Sequence, residues 1–114
     1  MLNQVVLVGR LTSDLEVKEL EGGKKETLLT LAVPRPFKNE NGEYETDFIT
    51  CRLWNNIAEN TAEYCKKGDI VGVKGRIQTI IEENVLEEKT YKTEVVAEKV
   101  TFLSSKSNNE SEEK

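Results

Sequence analysis

Apolar residues alternate with other residues in several segments of the chain, with the period of two that is typical of β-strands. In the segment FITCRLW at 48–54, the odd-numbered residues are apolar and predict the interior face of a barrel. The other face holds two aromatic rings with a cation between them, namely Phe48, Arg52 and Trp54. Such a face can stack unpaired bases and contact phosphate, or it can pack against another element or subunit.

The same alternation predicts five strands in the first 103 residues. They are the segments 5–10, 27–33, 45–54, 70–79 and 91–103, the last with a break or bulge near Glu98-Lys99. Turns are expected at Gly22-Gly23 and at Asn41-Gly42, where glycine supplies a positive φ. Pro34 and Pro36 are expected to end the second strand, because proline cannot donate to a ladder.

Two strands carry additional information about their surroundings. Val5–Val8 is apolar on both faces, which predicts burial on both sides or contact with a partner. In the fourth strand, the inward row is expected to run from Val71 to Ile77 through Gly75, whose position in a strand interior indicates a sharp bend. Lys74 and Arg76 then form an outward basic row, which either faces nucleic acid or, as we favour, pairs with carboxylates of a neighbouring strand.

One short helix is predicted after Trp54. Asn56 and Glu59 form a candidate capping box at its start, Lys66-Lys67 suit the negative end of its dipole, and Gly68 is expected to close it. Five strands with one short helix between strands 3 and 4 predict an all-β OB-fold barrel. Barrels of this kind bind single-stranded nucleic acid across strands 2 and 3.

Composition limits the chemistry that the chain can perform. The 114 residues include no histidine, two cysteines and a net charge of −5. Cys51 and Cys65 are expected to be free, buried thiols, so no metal or other cofactor, and no enzymatic activity, is predicted. With no apolar run long enough for a membrane span and no secretion signal, we expect a cytoplasmic protein. A folded domain over 1–103 and a disordered polar and acidic tail over 104–114 complete the prediction.

Taken together, the segments of the chain resemble the bacterial single-stranded DNA-binding protein family over residues 1–103. The matching segments are LNQVVLVGRLT at 2–12, TLAV at 30–33, DFITC at 47–51 with Trp54, AEN at 58–60, YCKKG at 64–68, GRIQT at 75–79 and TEVVA at 93–97. The resemblance implies single-stranded DNA binding without strong sequence preference, in replication, recombination or repair, by a nucleoid-associated homotetramer built as a dimer of dimers. It also implies that the first strand pairs across a subunit interface.

The resemblance places binding roles on particular residues. The stacking aromatics of the family fall on Phe37, Phe48 and Trp54, and basic or phosphate-facing groups fall on Arg35, Lys38, Lys66 and Lys67. To these we add Arg52, because it shares the outward face with two of the aromatics, and Arg10. Salt-sensitive phosphate contacts by these side chains are expected beside sequence-tolerant stacking.

Three departures from the family pattern point to an accessory version of the phage, plasmid or competence type. Ile80 and Glu82 replace a cation and a stacking aromatic after the fourth strand, and Asn55-Asn56 replace basic residues after the tryptophan. The final residues lack the apolar tip with which the family recruits other proteins, so recruitment through the tail is not carried over.

An alternative function is that of a primosome-like OB-fold module with weak DNA binding and a protein as its main ligand. Glu82, Glu83, Glu87 and Glu88 form an acidic run between the fourth and fifth strands. This run is either a solvated loop or an acidic surface for a basic partner. A gel shift with a labelled oligonucleotide distinguishes the two functions.

Overall fold

The computed structural model of the chain describes residues 1–105 and contains six strands and one α-helix. The strands are β1 (Val5–Leu11), β2 (Lys18–Glu19), β3 (Lys25–Lys38), β4 (Tyr44–Trp54), β5 (Ile70–Glu83) and β6 (Lys89–Ser104), and the helix α1 spans Asn55–Tyr64. A 3-10 turn at Glu21–Gly23 contains the predicted Gly22-Gly23 pair, in which both residues have positive φ. Most of the predicted tail, from residue 106 onward, lies outside the described residues.

Five of the strands close into a barrel, and the two-residue β2 is added at the edge of β3. The order is β1-β5-β6-β4-β3-β2, with a further antiparallel pairing of β1 with β3. A parallel pairing of β4 with β6 completes the circuit. The predicted all-β, five-stranded OB-fold barrel is therefore confirmed, with its helix between β4 and β5, the third and fourth strands of the barrel.

The barrel interior is filled by the residues that the alternation assigned to it. Cys51 and Leu53 of β4 are fully buried, and Val71 and Val73 of β5 face them from across the core. Both cysteines are free and buried, as predicted, and burial raises the pKa of the Cys51 thiol to about 11. The helix packs Ala58 against this core and covers one end of it.

The second barrel strand does not end at the prolines, contrary to the prediction. β3 continues through Pro34 and Pro36 to Lys38. The ladder with β4 is irregular between Pro34 and Lys38, so the strand stays extended in a bulged stretch where the missing amide hydrogens are tolerated. The hairpin then turns through a loop in which Gly42 has a φ of 77°, as the Asn-Gly signal predicted.

The predicted capping of the helix is also wrong. The helix begins at Asn55, after Trp54 at the N-cap, and no side chain caps its first turn. Glu59 instead forms an ion pair with Lys25 of β3 at 2.8 Å, and the Asn55 side-chain oxygen accepts a hydrogen bond from the Lys25 amide at 3.0 Å. A neighbouring strand has thus taken Glu59, which the local pattern assigned to the cap.

The helix ends earlier than predicted. Tyr64 is its last residue, and the backbone at Cys65 is extended. Lys66 and Lys67 consequently belong to a turn that leads into β5, and the last turn of the helix contains no basic residue. Gly68 lies in that turn with a φ of 93° rather than at the helix terminus.

The β5–β6 pairing contains the close approach and the bulge that the sequence indicated. Lys74 pairs with Lys99 and Gly75 with Ala97, so Glu98 is the extra residue of a bulge. A Cβ atom on Gly75 would overlap the Val96 carbonyl oxygen, which explains why glycine is needed there.

One predicted core position on β5 is wrong. Ile77 was expected to face inward, but 42% of it is exposed. Pairing of β5 with β1 ends at Gly75, and beyond that residue β5 continues with β6 as a projecting hairpin. The alternation of apolar residues continues along β5 beyond Gly75. The strand β1 does not extend that far, so it does not bury Ile77.

Candidate nucleic-acid interface

The outward surfaces of β3 and β4 form a continuous face, which we call the β3–β4 platform and define by four cross-strand pairs. The pairs are Glu26 with Trp54, Leu28 with Arg52, Thr30 with Thr50 and Ala32 with Phe48. The two threonine hydroxyls are joined by a hydrogen bond of 2.9 Å. Phe48 is 68% exposed, and Leu28 is 51% exposed. An open aromatic ring on a flat polar and apolar sheet is a surface on which a base can stack.

Phe48 and Trp54 stand at opposite ends of this platform. They lie six residues apart on β4, which corresponds to about 20 Å at the usual rise of a strand. One base cannot contact both rings at that separation. The two aromatics therefore offer separate stacking positions along the direction of β4.

Arg52 lies beside Trp54 and is held by two carboxylates. Its Nε donates to Glu94 at 2.9 Å, its Nη1 donates to Glu26 at 2.5 Å, and its guanidinium carbon is 5.9 Å from the centroid of the Trp54 ring. Glu94 also accepts a hydrogen bond of 2.7 Å from the Gln78 amide. The pKa of Arg52 is raised, most by the hydrogen bond to Glu94 and less by the hydrogen bond to Glu26.

Arg35 is likewise engaged by two carboxylates, and it lies on the other face of the hairpin. It binds Asp47 through Nε and Nη2 at 2.9–3.2 Å, and Glu45 through Nη1 at 2.6 Å. Hydrogen bonding to Arg35 lowers the pKa of Asp47. Because successive residues of a strand point to opposite faces, these two carboxylates face away from Phe48. The structure therefore does not bring Arg35 onto the β3–β4 platform.

Lys38 and Tyr44 extend the platform toward the tip of the hairpin. The ammonium of Lys38 lies 5.7 Å from the centroid of the Tyr44 ring, and Tyr44 is on the same face of β4 as Phe48. Both Tyr44 and the nearby Phe37 are about 60% exposed. Tyr44 is not among the predicted site residues, although its even-numbered position on β4 is the signal that would have included it.

Lys66 and Lys67 occupy the turn after the helix, where three side chains fix the backbone. The Lys66 and Lys67 amides donate to Asp69 and Asp14, each at 2.8 Å, and Arg10 donates from Nη1 to the Gly68 carbonyl at 2.6 Å. Arg10 thus supports the turn that presents the two lysines. The ten-residue helix, about 15 Å long, separates this turn from Trp54.

Five of the six predicted basic site residues consequently fall into two electrostatic groups. Arg35 and Arg52 are each engaged by two carboxylates. Within residues 1–105, Lys38, Lys66 and Lys67 form no ion pair, and all three are exposed. On β5, Arg76 pairs with Glu98 at 3.6 Å, so the expected pairing of this outward basic row with a neighbouring strand is confirmed at that residue.

Two other kinds of site are absent from the described part of the chain. It contains no group of three or more His, Cys, Asp or Glu side chains arranged to hold a metal ion. No α-helix in residues 1–105 has the length and apolar character required to cross a membrane.

Comparison with known proteins agrees with this geometry. Residues 2–103 match the Single-strand binding protein family. The chain is 51% identical over 106 residues to single-stranded DNA-binding protein B of Bacillus subtilis, which covers 93% of this chain and 94% of that protein. It is 52% identical over 108 residues to single-stranded DNA-binding protein 3 of Listeria innocua, covering 95% of this chain and 68% of that protein. The resemblance predicted from the motifs is confirmed: the chain belongs to the single-strand binding protein family.

Proposed function

We propose that this protein binds single-stranded DNA without strong sequence preference and protects it during replication, recombination or repair. Two similar proteins, from Bacillus subtilis and Listeria innocua, are named single-stranded DNA-binding proteins. The observation that carries the proposal is Phe48, an aromatic ring that is 68% exposed on the face of a sheet. An aromatic ring so exposed on the platform leaves its face open for a base to stack on.

Stacking supplies the sequence-tolerant part of the proposed binding. Phe37, Phe48 and Trp54 are the proposed stacking residues, each contributing about 1–3 kcal/mol per stacked base. Every base has a π-face, so this contribution does not depend on sequence.

Phosphate contacts supply the salt-sensitive part of the proposed binding. Lys38, Lys66 and Lys67 are the strongest candidates, because they are exposed and lack ion pairs in residues 1–105. Arg10, Arg35 and Arg52 already donate to protein groups, so only their remaining N–H donors are available to phosphate. We therefore expect a shallower salt dependence than six phosphate contacts would produce.

We further propose that the protein acts as a homotetramer, built as a dimer of dimers, with residues 1–103 as its DNA-binding domain and the rest as a tail. Val6 and Val8, on the outward face of β1, are 68% and 52% exposed in the single chain. A second copy packed on β1 would bury both. We propose no catalytic activity and, with DNA as the ligand, a place at the cytoplasmic nucleoid.

The accessory character of the protein is proposed from its β5–β6 hairpin. Glu82 stands where the family carries a stacking aromatic, and it pairs with Lys92 at 3.1 Å. One stacked base fewer weakens binding by roughly 5- to 150-fold per subunit. The primosome-like module stays a second candidate, because this hairpin also exposes Val85 and Leu86 among acidic residues.

The proposal is tested by titrating the protein with a thymine oligonucleotide of about 35 nucleotides. Trp54 is the only tryptophan, so its fluorescence reports on the platform directly. We expect strong quenching that weakens as salt is raised. Phe48→Ala, a variant that keeps the reporter, is expected to bind more weakly while remaining folded. A folded parent whose fluorescence is unchanged at low salt contradicts DNA binding and favours a protein partner.

A further inference from the structure

Arg52 is the centre of a polar network that joins four strands beneath one end of the β3–β4 platform. It lies on β4 and bonds Glu26 of β3 on one side and Glu94 of β6 on the other, while Gln78 of β5 donates to Glu94. The exposed fractions of the side chains of Arg52, Glu26 and Glu94 are only 23%, 18% and 14%. The contacts are therefore among the least solvated ion pairs in the described chain.

The charges in this network do not favour phosphate. One guanidinium is matched by two carboxylates, so the cluster carries a net charge of −1 before any DNA arrives. A phosphate that approached Arg52 would find only the N–H donors that the two carboxylates leave, and it would meet the negative charge of both carboxylates at close range. Displacing either carboxylate would instead leave it without its cation in a half-buried position.

The geometry favours a contact with Trp54 instead. The guanidinium carbon is 5.9 Å from the centroid of the indole ring, within the range of a cation–π interaction. Trp54 is the last residue of β4 and the N-cap of the helix, and its cross-strand partner is Glu26, the same residue that holds Arg52. The two carboxylates thus fix the cation, and the cation in turn limits the orientations that the ring can adopt.

We propose that Arg52 is a positioning residue, clamped by Glu26 and Glu94, that orients Trp54 for stacking and does not itself bind phosphate. This inference rests on the proposed function in so far as Trp54 is a stacking residue for DNA. Fixing the ring before a base arrives removes part of the ordering cost of binding, because the side chain has less freedom to lose. The phosphate contacts are then left to the exposed lysines.

The test compares Arg52→Lys with Arg52→Gln. Lysine keeps the charge but lacks the planar fork that reaches two carboxylates at once. A clamp therefore predicts that Arg52→Lys behaves like Arg52→Gln, with affinity for the thymine oligonucleotide reduced about 2- to 10-fold in both. The slope of log K against log salt should stay at the parent value in both, whereas Lys66→Ala should flatten it by about 0.7.

A second readout needs no DNA. Acrylamide quenching and fluorescence anisotropy of Trp54 are measured in the free variants, and both Arg52 variants should show a more accessible and more mobile indole than the parent. Glu26→Gln, which leaves the arginine in place but removes one side of the clamp, should change both signals in the same direction. Arg76→Gln is the matched control, because it removes an arginine that lies two strands from Arg52, beyond Val96, and that pairs with Glu98 and not with the clamp. It should leave Trp54 unchanged.

The outcomes separate the inference from the proposed function. Parental affinity in Arg52→Lys, together with a slope flattened by about 0.7 in Arg52→Gln, would identify a phosphate contact and overturn the clamp. Unchanged indole accessibility in folded Glu26→Gln and Arg52→Lys would overturn it as well. A parent that binds no DNA would refute the proposed function alone. Acrylamide quenching of Trp54 in the free protein would still decide whether Arg52 positions the ring. Circular dichroism and thermal melting establish that each variant is folded.

Discussion

The hairpins β3–β4 and β5–β6 are closed by loops of the same geometry, built from different residues. In the first, the Asn39 amide donates to the Glu43 carbonyl at 2.8 Å, and the Gly42 amide donates to the Asn39 carbonyl at 3.0 Å. In the second, the Asn84 amide donates to the Glu88 carbonyl at 3.1 Å, and the Glu87 amide donates to the Asn84 carbonyl at 3.0 Å. In both loops the asparagine side-chain oxygen accepts two further amide hydrogens, at 2.9 and 3.0 Å.

The loops differ at the positions that do not make these bonds. The fourth residue is Gly42 in the first loop and Glu87 in the second, with φ angles of 77° and 63°. Val85 and Leu86, at the tip of the second loop, are 97% and 73% exposed. The asparagine at the start of each loop makes the same four hydrogen bonds, even where the residue with positive φ is not glycine.

The bodies of the hairpins differ more than their loops. From Gly75 onward, β5 pairs regularly with β6 as far as Glu83 with Lys89, whereas β3 and β4 are irregular after Pro34. The outward side of the first hairpin presents Phe48, and the second presents the Glu82–Lys92 ion pair. An OB-fold barrel can thus project two hairpins with similar loops whose strand pairing and outward side chains differ.

The largest expected effect lies at the base of the second hairpin. In Gly75→Ala the new methyl group would meet the Val96 backbone, which cannot move without disturbing the β5–β6 ladder. We expect a loss of about 3 kcal/mol in the free energy of unfolding, measured by urea denaturation. Gly72→Ala on the same strand is the control, because its methyl group would have ordinary contacts of 3.7 Å with Leu103. Equal stability of the two variants would contradict the claim that the Val96 backbone leaves no room for a side chain at Gly75.

An intermediate effect is expected when the outward aromatic ring of the first hairpin is removed or when one is added to the second hairpin. Phe48→Ala should weaken binding of the thymine oligonucleotide by about 5- to 150-fold, because one stacked base is lost. Glu82→Trp should strengthen it by an amount in the same range, because the second hairpin gains a stacking ring and loses a negative charge. Fluorescence anisotropy of a labelled oligonucleotide measures both.

Glu82→Gln separates the two contributions of the second substitution. It removes the charge without adding a ring, so its gain in affinity should be smaller than that of Glu82→Trp and should disappear at high salt. If Glu82→Trp binds no more tightly than Glu82→Gln, the second hairpin does not reach the DNA, and the distinction between the hairpins is one of position as well as of side chains.

The smallest effect is expected from exchanging the fourth loop residues. Glu87→Gly should stabilise the protein by about 0.5 kcal/mol, because relief of a left-handed backbone is largely offset by the added freedom of glycine in the unfolded chain. Gly42→Ala should destabilise it by about 1 kcal/mol. Thermal melting of the two variants measures both changes, and a stabilised Gly42→Ala would contradict the equivalence of the loops.

The sequence predicted the parts of the fold that depend on local pattern. The period-two alternation identified the buried face of β4, including Cys51 and Leu53, and the bulge at Glu98. The order of strands and helix was enough for the barrel. On the β3–β4 platform, the same alternation brought Phe48, Arg52 and Trp54 to one face, although their contact with DNA stays a prediction.

What the sequence did not predict depends on residues far apart along the chain. Glu59 was assigned to a helix cap, yet it pairs with Lys25, 34 positions earlier. Ile77 continues the alternation of the core residues, but β1, the strand that would cover it, no longer pairs with β5 at that point. Arg35 and Arg52 were expected to contact phosphate, and only the folded sheet shows that carboxylates lie beside both. A charged residue cannot be judged available until its neighbours in space are known.

The parallel pairing of β4 with β6 has a consequence for how fast this protein folds. In the described chain it consists of two residue pairs, Cys51 with Val95 and Arg52 with Val96, each joining residues more than forty positions apart. Each hairpin forms by closing a short loop, whereas the β4–β6 pairing has to overcome the entropy of closing a long loop. We therefore expect the hairpins to form first and barrel closure to limit the folding rate. The ion pair of Arg52 with Glu94, which joins the same two strands, would then control how quickly the closed barrel opens again.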